Sequence, residues 1–149
     1  MAGKLRVGIL GVSGAAGQQF LSALEGHPQF EIAALYGNES AGKKLEEIKQ
    51  HVEINEEFQD MRIRKPEIDK KMDMVFSALP TEAARELEAR FAQHMPVISV
   101  SSAYRYEDDI PILIPEVNAE HAPLISIQQE KRGWKGFIAP GPNCTVVPA

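Results

Sequence analysis

One cysteine, Cys144, and one tryptophan, Trp134, stand in a chain of 149 residues. A lone cysteine cannot close an internal disulfide, which fits a reducing compartment such as the cytoplasm. No run of about 18 apolar residues occurs, so the sequence offers no spanning helix. A signal-peptide pattern is missing too, because the short apolar run Leu5–Leu10 breaks at once into glycines. Basic residues are outnumbered, 16 against 21 acidic ones, for a formal net charge of −5. With no basic run interleaved with aromatics, that balance argues against a nucleic-acid or anionic-membrane surface. His27, His51, His94 and His121 are scattered, none at metal-ligand spacing, and no metal is expected. Internal repeats and low-complexity tracts are absent as well. What remains is the composition of an ordinary globular protein, 44% hydrophobic and 25% charged, long enough for one domain.

The most informative stretch is Val7–Gly17, V-G-I-L-G-V-S-G-A-A-G. An apolar run ends in a turn with glycines at Gly11, Gly14 and Gly17, and helical character follows from Gln18. This is the strand–loop–helix opening of a dinucleotide-binding unit. One glycine permits the turn, one admits a pyrophosphate, and one lets helix and strand pack closely. Helix N–H groups and the positive dipole end then face the phosphates, which places Ser13, Ala15 and Ala16 with the glycines as candidate ligands. The spacing is G-x-x-G-x-x-G rather than the commoner G-x-G-x-x-G. A purely structural strand-to-helix turn is the alternative reading.

Strands are expected at Leu5–Leu10, Glu31–Tyr36, Met74–Ala78, Pro96–Val100 and Gly136–Ala139, with a short extended piece at Ile110–Ile114. Helices are expected at Gln18–Glu25, at Thr81–Gln93 with Thr81 as N-cap, and at Asn118–Lys131 with Asn118 as cap. The charged segment Ser40–Asp69 reads as irregular, with an extended excursion near Glu57–Arg64. Continuous apolar strands alternating with helices predict an α/β fold: a Rossmann-like, doubly wound, mainly parallel sheet with helices on both faces. No interior linker marks a second domain within residues 1–149. The chain stops just past a turn, Pro140–Asn143, where a helix would begin at Cys144, and this reads as a fragment of a longer protein.

Cys144 is the sharpest chemical candidate. It follows a strand and a Pro-Gly-Pro-Asn turn, on the sheet edge where such folds bind ligands. A helix start there would favour the thiolate, and Asn143 can donate to a developing oxyanion. Its bland alternative is a small buried hydrophobe.

Pro142–Thr145 (P-N-C-T), Gly11–Gly17 (G-V-S-G-A-A-G), Ser77–Pro80 (S-A-L-P) and Ile114–Asn118 (I-P-E-V-N) occur in one order. Together they resemble aspartate-semialdehyde dehydrogenase of the archaeal and fungal branch, over essentially the whole chain and corresponding to its N-terminal half. The motifs separate this family less well from malonyl-CoA reductase or N-acetyl-glutamyl-phosphate reductase. The resemblance implies an oxidoreductase of amino-acid biosynthesis (lysine, threonine, methionine) that reduces L-aspartyl 4-phosphate to L-aspartate 4-semialdehyde. Cys144 would attack the acyl carbon, expel inorganic phosphate and carry a thioester that a nicotinamide cofactor reduces.

By the same resemblance, Arg105, in an S-x-x-x-R loop from Ser101, would bind the phosphoryl group, and Asn118 would approach the phosphate or cofactor. The loop Ser77, Ala78, Leu79 and Pro80 would lie against the cofactor. A surface arginine, a helix cap and a strand ending at proline explain the same letters without function. The second strand ends at Tyr36, not at an acid, which leaves room for a 2′-phosphate with Ser40 and Lys43 as ligands. Glu39 opposes this, since relatives carry an arginine there. NADP is favoured and NAD left open. Relatives are about twice as long and form homo-oligomers, and their base lies beyond residue 149. The expectation is therefore dinucleotide binding without turnover by this chain alone. A non-catalytic nucleotide-binding module is the competing class. A short-chain oxidoreductase is disfavoured because Y-x-x-x-K is absent.

Overall fold

Leu5–Leu10 forms β1, the apolar run that precedes the glycine turn, and the helix Ala15–Leu24 (α1) follows it directly. Phe30–Tyr36 (β2) pairs with β1 in parallel, Ile63–Arg64 (β3) pairs with β2, and Met74–Ser77 (β4) pairs with the other side of β1. The computed structural model describes residues 3–146. Register is the useful detail here. Leu10 lies opposite both Tyr36 and Ser77, and Tyr36 lies opposite Arg64. The four strands therefore end level, and the loops after Leu10, Tyr36 and Ser77 leave from one edge.

Val7, Ile9, Val12, Leu21, Leu24, Leu35, Leu45, Ile54 and Ile63 form the core behind that edge. Fully burying each such side chain contributes about 1.5–3 kcal/mol. Phe76 packs against Phe20 and Phe30 at centroid distances of 5.2 and 5.7 Å. Gln18 is fully buried in α1, yet its amide is satisfied: Nε2 donates to the Lys49 carbonyl and Oε1 accepts from the His51 N–H. One side chain thus ties the charged connection to the helix of the glycine turn.

Two glycines make the β1–α1 turn possible. Gly11 has φ of +84°, a left-handed backbone that other residues adopt with strain. Gly17 sits so close to the Gly11 carbonyl that a Cβ would overlap it. The helix can approach the loop only because that atom is missing.

The chain divides into two compact units, Met1–Ala78 and Leu79–Ala149. In the second, Thr81–Ala92 (α3) packs against the parallel pair Val97–Ser99 (β5) and Ile138–Pro140 (β6); the short helix Glu56–Gln59 of the first unit is α2. Two further helices, Pro115–Asn118 (α4) and Leu124–Arg132 (α5), precede β6. Gln128 of α5 is fully buried, donating to the Ile138 carbonyl at 3.0 Å and accepting from its N–H at 2.7 Å. The amide takes the place of a neighbouring strand at that residue. Parallel pairing and strand–helix alternation in both units match the Rossmann-like expectation. Among the described residues no helix is long and apolar enough to cross a membrane.

Several local expectations are corrected. The helix expected at Asn118–Lys131 is interrupted: α4 passes into a 3-10 turn at Ala119–His121, and α5 starts only at Leu124. Pro123 explains the break, since it has no N–H and its ring clashes with the carbonyl four residues back. Gly133, with φ of +66°, then closes α5. Thr81 is the first residue of α3 rather than its cap, and its hydroxyl pairs with Ser102 Oγ at 2.9 Å. Residues 110–114 form no strand, and the excursion near Glu57–Arg64 is helix α2 followed by the two residues of β3.

Arg132 staples the loop before α4 onto α5. Its guanidinium meets the buried Asp109 carboxylate through Nε at 2.5 Å and Nη2 at 2.8 Å, and Nη2 also reaches Glu107. Tyr104 and Trp134 lie 5.9 and 5.1 Å from it, so Trp134 serves as a packing partner. The Arg132 hydrogen bonds hold the Asp109 carboxyl down at about 2.

Two predictions follow from these contacts. Gly17→Ala should lower stability by about 1–3 kcal/mol in denaturant melts, because the helix must back away from the Gly11 carbonyl; an unchanged midpoint would contradict the close approach. The depressed Asp109 stabilises the fold above the ordinary aspartate range, and that contribution is lost as pH falls toward about 2. Asp109→Asn should therefore cost about 2 kcal/mol at pH 7 and much less near pH 2. Equal losses at both pH values would refute the ion pair's role.

Candidate active site

The level strand ends bring most of the predicted nucleotide residues to one edge. Gly14 precedes α1 as its cap, the first turn of the helix carries no acidic residue, and Ser13, Gly14, Ala15 and Ala16 are exposed. The first N–H groups of a helix have no partner within it, so those of Ala15, Ala16 and Gly17 are the natural anion ligands. Ser13 Oγ lies 2.5 Å from Ser40 Oγ, which joins the glycine turn to the loop after β2. Ser40 itself is buried, so it braces the loop rather than presenting its hydroxyl outward. Lys43 is exposed nearby in sequence, its N–H held by the Ser40 carbonyl.

Sequence reasoning passed over Arg64 and Lys65. With Tyr36 and Lys70 they line a cavity of about 540 Å³ that also includes Glu67 and Asp69. The signal was available only through register, since nothing in the letters set Arg64 opposite Tyr36.

Ser77 is fully buried in β4, with its hydroxyl away from solvent. The Ala78 N–H is already spent on the Leu10 carbonyl. Leu79 is half-buried, and Pro80 is exposed at the start of α3. Of this loop the structure leaves little for a ligand to meet except around Leu79 and Pro80.

The second unit holds the residues expected from sequence to carry the chemistry. Cys144 is exposed, not sealed in a core. It sits in a turn closed by the Val146 N–H on the Asn143 carbonyl at 2.9 Å. Residues 144–146 form a turn, and the rest of the helix expected from Cys144 lies outside the described residues. Asn143 organises the turn: its Oδ1 accepts from the Thr145 N–H, the Thr145 hydroxyl and the Cys144 thiol. Among the described residues its Nδ2 has no partner, which leaves a donor beside the sulfur.

Arg105 is fixed by its backbone neighbours. Nε donates to the Gly141 carbonyl at 2.9 Å and Nη2 to the Val100 carbonyl at 2.8 Å. Gly141 belongs to the very turn that leads to Cys144, and its N–H is held by the Ser99 carbonyl. Buried side chains shape the loop that carries Arg105. Glu88 accepts from Ser99 Oγ, Ser99 Oγ accepts from the Ser101 N–H, and Ser101 Oγ accepts from the Ala103 N–H. The guanidinium keeps its other N–H groups free of partners among the described residues.

Asn118 does not cap a helix with its side chain. Its Oδ1 accepts from the Ile114 N–H at 2.7 Å, and its Nδ2 donates to the Ile112 carbonyl at 2.8 Å. It ties down the loop before α4. Arg105, Asn118 and Asn143 line one groove of about 610 Å³ with an apolar floor that includes Ile110, Pro111 and Leu124, and with His121 and the exposed Tyr106 at its sides. Among the described residues, no Asp or Glu belongs to that lining. Three residues chosen from separate motifs thus share a surface, with Cys144 adjoining Asn143. Among the described residues no group of His, Cys, Asp and Glu is placed to hold a metal.

Residues 6–125 match the family described as semialdehyde dehydrogenase, NAD binding domain. An aspartate-semialdehyde dehydrogenase of Methanothermobacter thermautotrophicus is 42% identical over 149 residues, covering 96% of this chain and 43% of its own length. A malonyl CoA reductase (NADP) of Metallosphaera sedula is 36% identical, covering 95% and 41%. The crystal structure of aspartate semialdehyde dehydrogenase with NADP from Candida albicans superposes with a TM-score of 0.81 at 34% identity, over 95% of this chain and 43% of that one. This chain spans less than half the length of these relatives. It belongs to the semialdehyde dehydrogenase NAD-binding domain family and has that family's Rossmann-like, parallel α/β fold.

Proposed function

We propose that the chain is the nucleotide-binding and thiol-bearing part of an aspartate-semialdehyde dehydrogenase, acting on L-aspartyl 4-phosphate with NADP. The observation that carries this reading is the groove shared by Arg105, Asn118 and Asn143, with the exposed Cys144 next in sequence to Asn143 though not itself in the lining.

The glycine turn fits a dinucleotide. Gly17 leaves no room for a Cβ, and the exposed first turn of α1 has no carboxylate to repel phosphate. Ser13, Gly14, Ala15 and Ala16 would hold the pyrophosphate, and the bound nicotinamide would supply hydride chemistry. Lys43, Arg64 and Lys65 are the cations available to a 2′-phosphate, against Glu39. NADP in the Candida albicans relative supports the phosphorylated cofactor, and NAD stays the alternative.

In the second unit, the Arg105 fork would hold the phosphoryl group, to which a planar guanidinium is suited. The Cys144 thiolate attacks the acyl carbon while Nδ2 of Asn143 donates to the oxygen that gains charge. Collapse breaks the carbon–oxygen bond to phosphate, inorganic phosphate leaves, and an acyl thioester remains on Cys144. The same sulfur serves a thioester substrate equally well, with coenzyme A as leaving group. The Metallosphaera sedula relative is the reason to test malonyl-CoA beside the acyl phosphate.

Mass spectrometry of the chain mixed with aspartyl 4-phosphate should show an aspartyl adduct on Cys144 that hydroxylamine removes and that Cys144→Ala lacks. Steady-state reduction of NADP by semialdehyde and phosphate should be absent, because the chain spans 43% of its relatives' length. No adduct on the wild-type chain would overturn the thioester reading, turnover by these 149 residues alone would overturn the expected inactivity, and an adduct from malonyl-CoA only would reassign the substrate.

A further inference from the structure

The groove beside Cys144 contains a histidine that neither the motifs nor the mechanism above uses. His121 is exposed, lies at the end of the 3-10 turn after α4, and lines the groove with Arg105 and Asn143. Its Nδ1 lies 3.2 Å from Asn118 Nδ2.

The orientation of the Asn118 amide is not a free choice. One end faces the Ile114 N–H, which can only donate, and the other faces the Ile112 carbonyl, which can only accept. The nitrogen end must therefore be Nδ2, and its second hydrogen points to His121. Nδ1 of His121 is then the acceptor, and a neutral imidazole with an accepting Nδ1 carries its proton on Nε2. Two backbone groups thus fix the tautomer of a ring at the side of a ligand-sized groove.

We propose that His121 is a binding residue of this groove, its Nε2–H donating to the phosphoryl group that Arg105 holds, with Asn118 as the residue that positions the ring. The proposal rests on the phosphoryl-binding reading of Arg105. It is supported by the chemistry of the lining: Arg105, His121 and Asn143 all offer N–H donors, and among the described residues no carboxylate shares the groove. Such a set suits a dianion with several acceptor oxygens. It also gives Asn118 a reason to be asparagine, because aspartate could donate neither to Ile112 nor to His121.

The test is titration of inorganic phosphate into the full chain, read by calorimetry and by nitrogen-edited NMR of the histidine rings. The free chain should show His121 as the Nε2–H tautomer, and phosphate should shift that nitrogen. His121→Ala should weaken phosphate binding roughly tenfold, the scale of a hydrogen bond to a charged group. His121→Gln, which keeps a donor, should recover most of the loss, a rescue that a merely structural role would not give. Wild-type affinity in His121→Ala, with binding still lost in Arg105→Ala, would overturn the role of His121 and leave the phosphoryl site standing. Phosphate binding that ignores Arg105→Ala, or no binding to the wild-type chain, would overturn both. An Nδ1–H tautomer in the free chain would contradict the positioning role whatever the variants do.

Discussion

The Arg105 guanidinium spans two backbone carbonyls, Val100 just past β5 and Gly141 in the turn that leads to Cys144. Everything chemical in the second unit hangs on that span. It sets the distance between a strand end and the thiol's turn, and it orients a cation whose remaining N–H groups are available to a ligand. A lysine would keep the charge and lose the geometry, since a single ammonium is a point charge and not a planar fork. The turn receives further support from the Gly141 N–H on Ser99 and from the Asn143 side chain, which gathers Thr145 and Cys144. Buried Glu88, through Ser99 and Ser101, shapes the loop that delivers Arg105. The cysteine is thus presented at the surface by a turn braced from three directions.

The first unit obeys a different constraint, the absence of a Cβ on Gly17. Close approach of α1 to the Gly11 carbonyl exposes the first helical N–H groups at the level edge of the strands. Gln18, one residue on, fixes the charged connection to the same helix. The glycine turn and its surrounding loops are thereby organised by two adjacent residues with opposite needs for space.

Much of this was legible in the letters, and the failures are instructive. Strand ends at Leu10 and Tyr36 coincide with expectation because a fully buried parallel strand is a continuous apolar run bounded by glycine. Gly133 closes α5 for another local reason, the left-handed backbone that glycine adopts without strain. Asn118 misled because an asparagine that caps a following turn and one that bonds back to Ile112 and Ile114 use identical letters. Only the tertiary course of the loop decides between them. Pro123 was visible, and the helix drawn through it ignored the missing N–H. Ser40 is a candidate ligand by its place after a strand that ends at Tyr36 and not at an acid, and its buried hydroxyl lies against Ser13, a contact that no spacing rule shows. His121 carries no signal in the sequence because its setting depends on the Asn118 amide, whose orientation no spacing rule reveals. Motif residues fell into place where local sterics decide, and were missed where hydrogen bonds between distant loops decide.

The most direct test of the account compares two reactions of Cys144 in the wild-type chain and in Arg105→Lys. One is acylation by aspartyl phosphate, which needs the phosphoryl group held; the other is alkylation by neutral iodoacetamide, which needs only an accessible thiol. The account predicts that acylation slows roughly ten- to hundredfold while alkylation changes little. Equal slowing of both reactions would show that Arg105 only shapes the turn, and no slowing of acylation would show that it does not hold the phosphoryl group; either result would contradict the central claim.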